Sequence, residues 1–227
     1  PGIIIAKIEI AKVTVIHFVP SMLSVFLDYL KENSEVHRLS SLKYVIASGE
    51  ALTTHHANRF YQVMGRGDIK SPGLSNLYGP TEAAVDVSFF DCPSEFSRSV
   101  IPIGKPIDNI RLYILDKYFY LQSIGIPGEL CIAGEGLARG YLNRPELTAE
   151  KFKRAVIGHW SFVIRKKSLV DSHLSLVNNK LPGITNDRFT NDRCPMTNDR
   201  SNQLSTNDRL YKTGDLARWL ADGNLEF

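Results

Sequence analysis

A run of polar and aromatic residues in the first half of the chain has the side chains needed to bind a nucleoside phosphate. The run spans residues 76–82 and reads NLYGPTE. Tyr78 offers a flat face on which a base can stack, and the amide of Asn76 can pair with the edge of that base. Thr81 offers a hydroxyl to a phosphate, and Glu82 offers a hard oxygen ligand to Mg²⁺. Taken alone, the run is also typical of a surface turn that leads into a helix cap.

A second run of this kind follows downstream, at residues 211–216 (YKTGDL). The carboxylate of Asp215 is suited to accept hydrogen bonds from both hydroxyls of a ribose, although Thr-Gly-Asp is also common in ordinary turns. A glycine-rich run at 128–142 lies between the two, and we expect its glycines to be mainly structural. We assign Asp222-Gly223 to a hairpin turn without a catalytic role.

The composition is that of a folded globular protein. Hydrophobic residues make up 43% of the 227, and no apolar run of about 18 residues predicts a membrane span. Cys92, Cys131 and Cys194 are odd in number and far apart, which argues against a disulfide framework or a zinc site and fits a reducing cytoplasm. The basic excess lies in residues 153–208, with nine Lys/Arg against five Asp/Glu. We therefore expect no nucleic-acid-binding surface.

The elements that carry the first run alternate between strands and helices up to about residue 90. We predict strands at 13–16, 42–47 and 69–77, one helix capped by Ser21 and another at 51–64. The apolar positions predicted for the first helix are Met22, Leu23, Phe26, Leu27 and Leu30. Such alternation predicts a parallel α/β sheet.

The pattern changes after Pro93. Short apolar runs broken by Gly and Pro over residues 100–142 predict antiparallel sheet or a small barrel. A helix is predicted at 145–152, with Pro in its first turn.

The tetrapeptide Thr-Asn-Asp-Arg occurs four times between residues 185 and 209, at uneven spacing. Uneven spacing argues against a solenoid, and the polar composition of 181–208 predicts disorder. We therefore predict an insertion at 153–208. The expected parts are an α/β nucleotide- and substrate-binding part at 1–92, a β-rich subdomain at 93–152, this insertion, and a truncated end of the domain at 209–227.

Together, the three runs resemble the core motifs of the adenylate-forming, AMP-binding superfamily, and most closely those of amino-acid adenylation domains of nonribosomal peptide synthetases. The resemblance implies part of the large N-terminal domain of such an enzyme, an α/β fold with a parallel sheet part and a small antiparallel or barrel-like β part. It implies ATP and Mg²⁺ as cofactors. Glu82 would bind the metal and act with Thr81 in catalysis. The residues implied in nucleotide binding are Gly49, Asn76, Tyr78, Gly79, Thr81, Tyr211 and Asp215.

The resemblance also implies a pocket for the side chain of an amino acid. The matching positions are His17, Ile46, Ser48, Leu77, Val85 and Asp86. This set resembles serine-activating domains, and a His and an Asp could hydrogen-bond a hydroxymethyl group and reject analogues without it. Glutamate or another polar amino acid is the main competitor.

The implied product is an aminoacyl-AMP. The implied partners are a peptidyl carrier domain, whose phosphopantetheine thiol takes the aminoacyl group, and a condensation domain of the same synthetase. An acyl- or aryl-CoA ligase of the same superfamily and a non-catalytic remnant stay open as alternatives.

The sequence departs from the family pattern in three ways. It has no Gly/Ser/Thr-rich phosphate loop with its Lys, and no aspartate for the substrate amino group, both of which the family places upstream. The small domain with the catalytic Lys would follow Phe227. We therefore expect a fragment that is inactive alone and poorly soluble because of an exposed sheet edge.

Overall fold

The computed structural model of the protein describes residues 1–65, 71–96, 98–154 and 209–227. The α-helices are α1 (Gly2–Ala11), α2 (Pro20–Asn33), α3 (Thr54–Met64) and α4 (Pro145–Lys151), and 3-10 helices lie at Val36–Leu39 and Thr81–Ala83. The strands are β1 (Val15–Phe18), β2 (Tyr44–Ala47), β3 (Gly73–Tyr78), β4 (Ser88–Cys92), β5 (Lys105–Pro106), β6 (Ile110–Leu115), β7 (Gly128–Gly134), β8 (Phe152–Arg154), β9 (Arg209–Trp219) and β10 (Leu225–Glu226). Most of the predicted insertion, including the disorder predicted at 181–208, lies outside the described residues.

The first sheet has the strand order β1-β2-β3-β4-β5. The first three strands are parallel, as the alternation of strands and helices predicted. β4 and β5 run antiparallel to their neighbours, so the sheet is mixed. β4 reverses because the short connection at 79–87, which holds one 3-10 turn and no crossover helix, joins it to β3. This sheet also extends beyond residue 92, the expected end of the first part, since β5 belongs to it.

The helices α1, α2 and α3 bury one face of this sheet. The strands contribute Phe18, Val45, Ala47 and Leu74 to the core, and the helices contribute Ile5, Ile8, Leu23, Leu27, Leu30 and Phe60. Because side chains alternate between the faces of a strand, the opposite face carries His17, Ile46 and Leu77. Val15, Tyr44 and Phe89 are exposed on it.

The start of α2 corrects one prediction. Its N-cap is Val19, with Pro20 in the first turn, so Ser21 is not the cap. The backbone N–H and the hydroxyl of Ser21 each donate a hydrogen bond of 3.0 Å to the carboxylate of Glu50. A carboxylate from the turn after β2 thus satisfies the helix start and favours its positive end. Of the five apolar positions predicted for this helix, four are buried and Met22 is exposed.

The second sheet has the order β10-β9-β7-β6, and β8 also pairs with β9. All of these pairs are antiparallel, as predicted for the chain after Pro93. Both faces are buried. One face contributes Ile110, Leu112, Ile114, Leu130, Ile132, Phe152 and Tyr211 to a core, and the other contributes Tyr113, Leu115, Cys131, Ala133 and Leu210.

A short backbone bridge joins the two sheets. The N–H of Leu225 donates to the carbonyl of Gly104 at 2.8 Å, and the N–H of Ile103 donates to the carbonyl of Leu225 at 2.8 Å. Gly104 has φ +86°, and a Cβ at this position would lie 1.8 Å from the carbonyl oxygen of Phe89. Only glycine fits there, so the position where the sheets meet depends on this residue.

No helix within the described ranges is long and apolar enough to cross a membrane.

Candidate active site

The two runs that are predicted to bind a nucleotide meet where the sheets join. Tyr78 ends β3 in the first sheet, and Asp215 lies in β9 of the second sheet. The hydroxyl of Tyr78 donates a hydrogen bond to Oδ2 of Asp215, although the two residues are 137 positions apart in the sequence. The fold therefore brings the predicted base-stacking and ribose-binding residues together.

Asp215 lies in a β-bulge, where the regular pairing of β7 with β9 is interrupted. Cys131 pairs with Lys212 and Glu129 pairs with Leu216, so β9 has two more residues than β7 between these pairs. The hydroxyl of Thr213 donates to the carbonyl of Leu130 at 2.8 Å and accepts from the N–H of Asp215 at 3.0 Å. Such a bulge re-aims a side chain that would otherwise follow the strand, and here it aims Asp215 at Tyr78.

Tyr78 is half-buried, and its ring centroid lies 5.4 Å from that of Phe227. Burial raises the pKa of the Tyr78 hydroxyl above its usual value, and the hydrogen bond to Asp215 raises it further. The phenol therefore stays neutral and acts as a donor. The sequence analysis did not identify Phe227 as a site residue. The one signal for it was its position at the end of the hairpin, two residues after Leu225, which pairs with Trp219.

The turn after Tyr78 is tightly packed. The N–H of Val87 donates to the carbonyl of Tyr78 at 2.7 Å, and a Cβ at Gly79 would lie 2.4 Å from the carbonyl oxygen of Val85. A side chain at Gly79 would therefore push the two strands apart. Val85 has φ +80° and the preceding Ala84 has φ +58°. A β-branched residue with positive φ is strained, and such strain concentrates at functional sites.

Glu82 lies in the 3-10 helix of this turn and contacts the segment that follows β7. Its Oε1 accepts a hydrogen bond of 2.5 Å from the hydroxyl of Tyr141, and its carbonyl accepts from the N–H of Ala138 at 2.7 Å. Partial burial acts to raise the pKa of Glu82, but the hydroxyls of Tyr141 and Tyr211 outweigh burial and hold it below its usual value. The carboxylate is therefore ionised at neutral pH. Thr81 precedes it and is exposed.

Glu82 and Thr81 fit a Mg²⁺ ion whose other ligands include phosphate oxygens. No group of three or more His, Cys, Asp or Glu side chains that could hold a metal occurs in the described part of the chain. No Lys or Arg there forms an ion pair with Glu82. Mg²⁺ is commonly held by one or two carboxylates together with substrate phosphates, so a single ionised carboxylate without an ion-pair partner suits this role.

The predicted pocket residues lie at the ends of parallel strands. His17 pairs with Ile46 in the sheet register, and Nε2 of His17 lies 2.7 Å from the hydroxyl of the buried Ser48. Leu77 follows on the same face of β3. Val85 and Asp86 belong to the next turn, where Oδ1 of Asp86 is buried and has no hydrogen-bond partner among the described residues. A buried oxygen without a partner suits a ligand that donates a hydrogen bond.

The surroundings of three further residues predicted to bind the nucleotide, Asn76, Gly49 and Tyr211, differ from one another. The amide nitrogen of the buried Asn76 donates to the carbonyl of Pro102 at 2.9 Å, which leaves its Oδ1 as the acceptor for a base. Gly49 has φ +86° and lies in the exposed turn after β2. Tyr211 is 5% exposed, and its hydroxyl lies 3.5 Å from that of Tyr141, beside Glu82 rather than beside Tyr78.

Comparison with known proteins identifies the family to which this fold belongs. The model of the AMP-binding enzyme family matches residues 1–142. Since this is more than half of the chain, the protein belongs to the AMP-binding enzyme family.

Similar proteins are found among bacterial synthases. The chain is 42% identical to zwittermicin A synthase ZmaJ of Bacillus cereus, over all of this chain and 34% of that protein. It is 41% identical to one of the mycosubtilin synthase proteins of Bacillus subtilis, over all of this chain and 7% of that protein. The chain thus spans about a third or less of the length of these relatives.

Solved structures show the same fold. The fused adenylation–PCP di-domain synthetase NpsA-ThdA of Klebsiella oxytoca matches with a TM-score of 0.67 at 20% identity, over 99% of this chain and 31% of that one. The NpsA N-terminal subdomain, in complex with 3-hydroxybenzoyl-AMSN, matches with a TM-score of 0.65 at 20% identity, over 99% of this chain and 43% of that one. The resemblance to adenylation domains of nonribosomal peptide synthetases is confirmed.

Proposed function

We propose that this chain supplies the nucleotide- and amino-acid-binding part of a ligase that uses ATP to convert an amino acid into an aminoacyl-AMP. The contact between Tyr78 and Asp215 carries the proposal, because it joins two motifs from different sheets into one site. The bridge from Glu82 to Tyr141 brings the third motif to the same place.

In the proposed reaction, a carboxylate oxygen of the amino acid forms a bond to the α-phosphorus of ATP. The bond from that phosphorus to the bridging oxygen breaks, and pyrophosphate leaves with the electron pair. Such reactions depend mainly on positioning and on stabilisation of charge. When bound, Mg²⁺ neutralises negative charge on the phosphates.

The residues of this chain divide the work of positioning. Tyr78 offers its ring to the adenine, and the Oδ1 of Asn76 accepts from the exocyclic amine of the base. Asp215 has lone pairs beyond the one that Tyr78 uses, and these accept from the ribose hydroxyls. Thr81 donates to the phosphate, and Glu82 binds the metal. Gly49 and Gly79 bring backbone close to the nucleotide.

We further propose that the amino acid is serine. The pair formed by His17 and Ser48, with the free oxygen of Asp86, can satisfy one hydroxyl at the end of a short side chain. Ile46, Leu77 and Val85 would form the apolar walls. Glutamate is the main competitor, and it would place a second carboxylate near Asp86, which costs energy by repulsion between like charges.

The partners follow from the same proposal. The aminoacyl group would pass to the phosphopantetheine thiol of a carrier domain, and a condensation domain would use it. The peptide-synthetase relatives favour this acceptor over coenzyme A. If the tests below fail, the alternatives are a CoA ligase and a chain without activity.

The first test is nucleotide binding by the chain itself. Asp215→Asn should weaken the affinity for AMP by about 10- to 100-fold, because hydrogen bonds to a charged group are lost. Asp222→Asn is the matched control, since it changes an aspartate of the nearby hairpin turn that bonds only to Arg98 and Asn224 among the described residues. Equal effects of the two variants would contradict the ribose assignment.

The second test concerns the substrate and uses the full-length product of the gene that carries this segment. Exchange of labelled pyrophosphate into ATP should depend on serine and not on glutamate. His17→Leu should lower the preference for serine over alanine, because the hydroxyl of serine would lose a partner. Exchange that is strongest with another amino acid would overturn the serine assignment and leave the ligase assignment intact. Absence of exchange with every amino acid would favour a non-catalytic chain.

A further inference from the structure

Tyr141 is the partner of Glu82 that the sequence motifs do not reveal. The two residues lie 59 positions apart, and the hydroxyl of Tyr141 donates to Oε1 of Glu82 at 2.5 Å. Tyr141 lies near the end of the glycine-rich run whose role was predicted to be mainly structural. Its hydroxyl contacts the carboxylate of Glu82, whereas Ala138 of the same run contacts the backbone carbonyl of that residue.

The surroundings of Tyr141 fix the direction of this hydroxyl. Its backbone N–H donates to the hydroxyl of Thr148 at 2.9 Å, which ties it to α4. Its ring packs edge-on against Phe152 at 5.8 Å between centroids, and Phe152 packs against Tyr211 at 5.0 Å. The guanidinium of Arg209 lies 4.3 Å from the ring centroid of Phe152. Because Phe152 and Tyr211 belong to the second sheet and Tyr141 packs against their core, the phenol is held in place by packing rather than by Glu82.

The carboxylate of Glu82 needs such a partner. It lies on a single turn of 3-10 helix, and one turn of this kind does not by itself fix a long side chain. No cation of the described residues pairs with it. A neutral hydroxyl can orient a carboxylate without cancelling its charge, and groups that orient a metal ligand in this way contribute strongly to metal affinity.

We propose that Tyr141 is a positioning residue that orients Glu82 toward Mg²⁺, with the hydroxyl of Tyr211 as a second support. The proposal rests on the function proposed above. It assigns to the glycine-rich run a role in metal binding, and it places Tyr211 in support of Glu82 rather than in contact with the nucleotide.

The test compares Tyr141→Phe with Tyr61→Phe. Both changes remove one hydroxyl and keep the ring. The hydroxyl of Tyr61 in α3 donates to the carbonyl of Cys92 in β4, and both residues belong to the core of the first sheet, whereas Ala83 next to Glu82 belongs to a different core. Three dissociation constants are measured for each form of the chain: AMP in EDTA, ATP in EDTA, and ATP with saturating Mg²⁺. The ratio of the last two gives the gain in affinity that depends on Mg²⁺.

Tyr141→Phe should reduce this gain by roughly tenfold, the lower end of the effect of removing a partner of a metal ligand. AMP affinity should stay within about twofold, because AMP in EDTA does not use Glu82. Tyr211→Phe should reduce the gain less, and Tyr61→Phe should leave it unchanged. In a Glu82→Gln background, Tyr141→Phe should have no further effect on the gain.

Two results would overturn the inference and leave the proposed function standing. One is normal AMP binding with an unchanged gain in Tyr141→Phe. The other is a parallel loss of all three affinities, which indicates general damage to the fold. Absence of AMP binding by the unmodified chain would overturn the proposed function, and the inference with it.

Discussion

The two sheets differ in how many of their faces are buried. The first sheet packs helices on one face and leaves Val15, Tyr44 and Phe89 exposed on the other. The second sheet is buried on both faces. The predicted amino-acid pocket lies on the open face of the first sheet, whereas Asp215, Tyr141 and Tyr211 come from the second sheet and the segment next to it. The proposed nucleotide site thus combines Tyr78 and Glu82 from the first sheet and its following turn with Asp215 from the second, whereas the predicted amino-acid pocket lies on the accessible face of the first sheet.

The largest effect should come from breaking the junction between the sheets. Gly104→Ala would place a Cβ 1.8 Å from the carbonyl oxygen of Phe89 at φ +86°. We expect the free energy of unfolding to fall by about 3 kcal/mol or more. Urea denaturation measures it, with Gly125→Ala as the control, because Gly125 has φ +80° but no atom within 4 Å of a new Cβ. Equal losses in the two variants would show that strain in φ, not the clash with the backbone of β4, sets the cost.

The next effect compares the packed and open faces directly. Leu130 in β7 is 0% exposed and Val15 in β1 is 47% exposed. Leu130→Ala should cost about 3 kcal/mol of stability because it leaves a cavity, and Val15→Ala should cost less than about 0.5 kcal/mol. Denaturation midpoints of both variants give the comparison. A large loss for Val15→Ala would mean that the open face is covered in solution.

A smaller effect concerns pH. Burial and the bond to Asp215 raise the pKa of Tyr78, so the folded state holds this proton more tightly than the unfolded chain. The stability that Tyr78 contributes is fully present below the unfolded pKa of about 10 and is lost as pH rises above it. The wild-type protein should lose roughly 1 kcal/mol more than Tyr78→Phe between about pH 10 and 11. Parallel curves for the two proteins would contradict the assigned contact.

The smallest effect tests local opening of each sheet. Burial raises the pKa of Cys92, in the first sheet, and of Cys131, in the second, to about 12 for each thiol. Both should react slowly with a thiol reagent near neutral pH. Because local opening is easier where fewer contacts hold a strand, Cys92 should become labelled severalfold faster than Cys131 in dilute urea. Mass spectrometry of the labelled peptides gives the two rates, and faster labelling of Cys131 would reverse the comparison.

The sequence predicted the regular elements well where a periodic pattern was present. The strands at Tyr44–Ala47 and Gly73–Tyr78, the antiparallel sheet after Pro93 and the hairpin at Asp222-Gly223 agree with the structure. Helix α1 could not be identified from periodicity, because Ile residues occur all around it and β-branched residues are also typical of strands. Its place is decided by the burial of Ile5 and Ile8 against the sheet.

Contacts between distant residues were beyond the sequence. The carboxylate of Glu50 at the start of α2, Phe227 beside Tyr78, and Tyr141 beside Glu82 all join parts of the chain that only the fold brings together. The types of the site residues could be predicted from their motifs. Which oxygen bonds to which hydroxyl depends on register and packing, which a single sequence does not specify.

The pairing of β8 with β9 has a consequence for how the gene can change. Phe152 pairs with Tyr211 and Arg154 pairs with Arg209, so the chain leaves and re-enters the sheet at adjacent positions. The cost of closing a segment grows only slowly with its length, by about 0.6 kcal/mol for each doubling. The position of Asp215 relative to β7 is determined by the two extra residues of β9, and it does not depend on the residues that precede Arg209. This point of the fold is therefore a position that tolerates insertions. Repeats such as Thr-Asn-Asp-Arg can accumulate there without moving the carboxylate of Asp215.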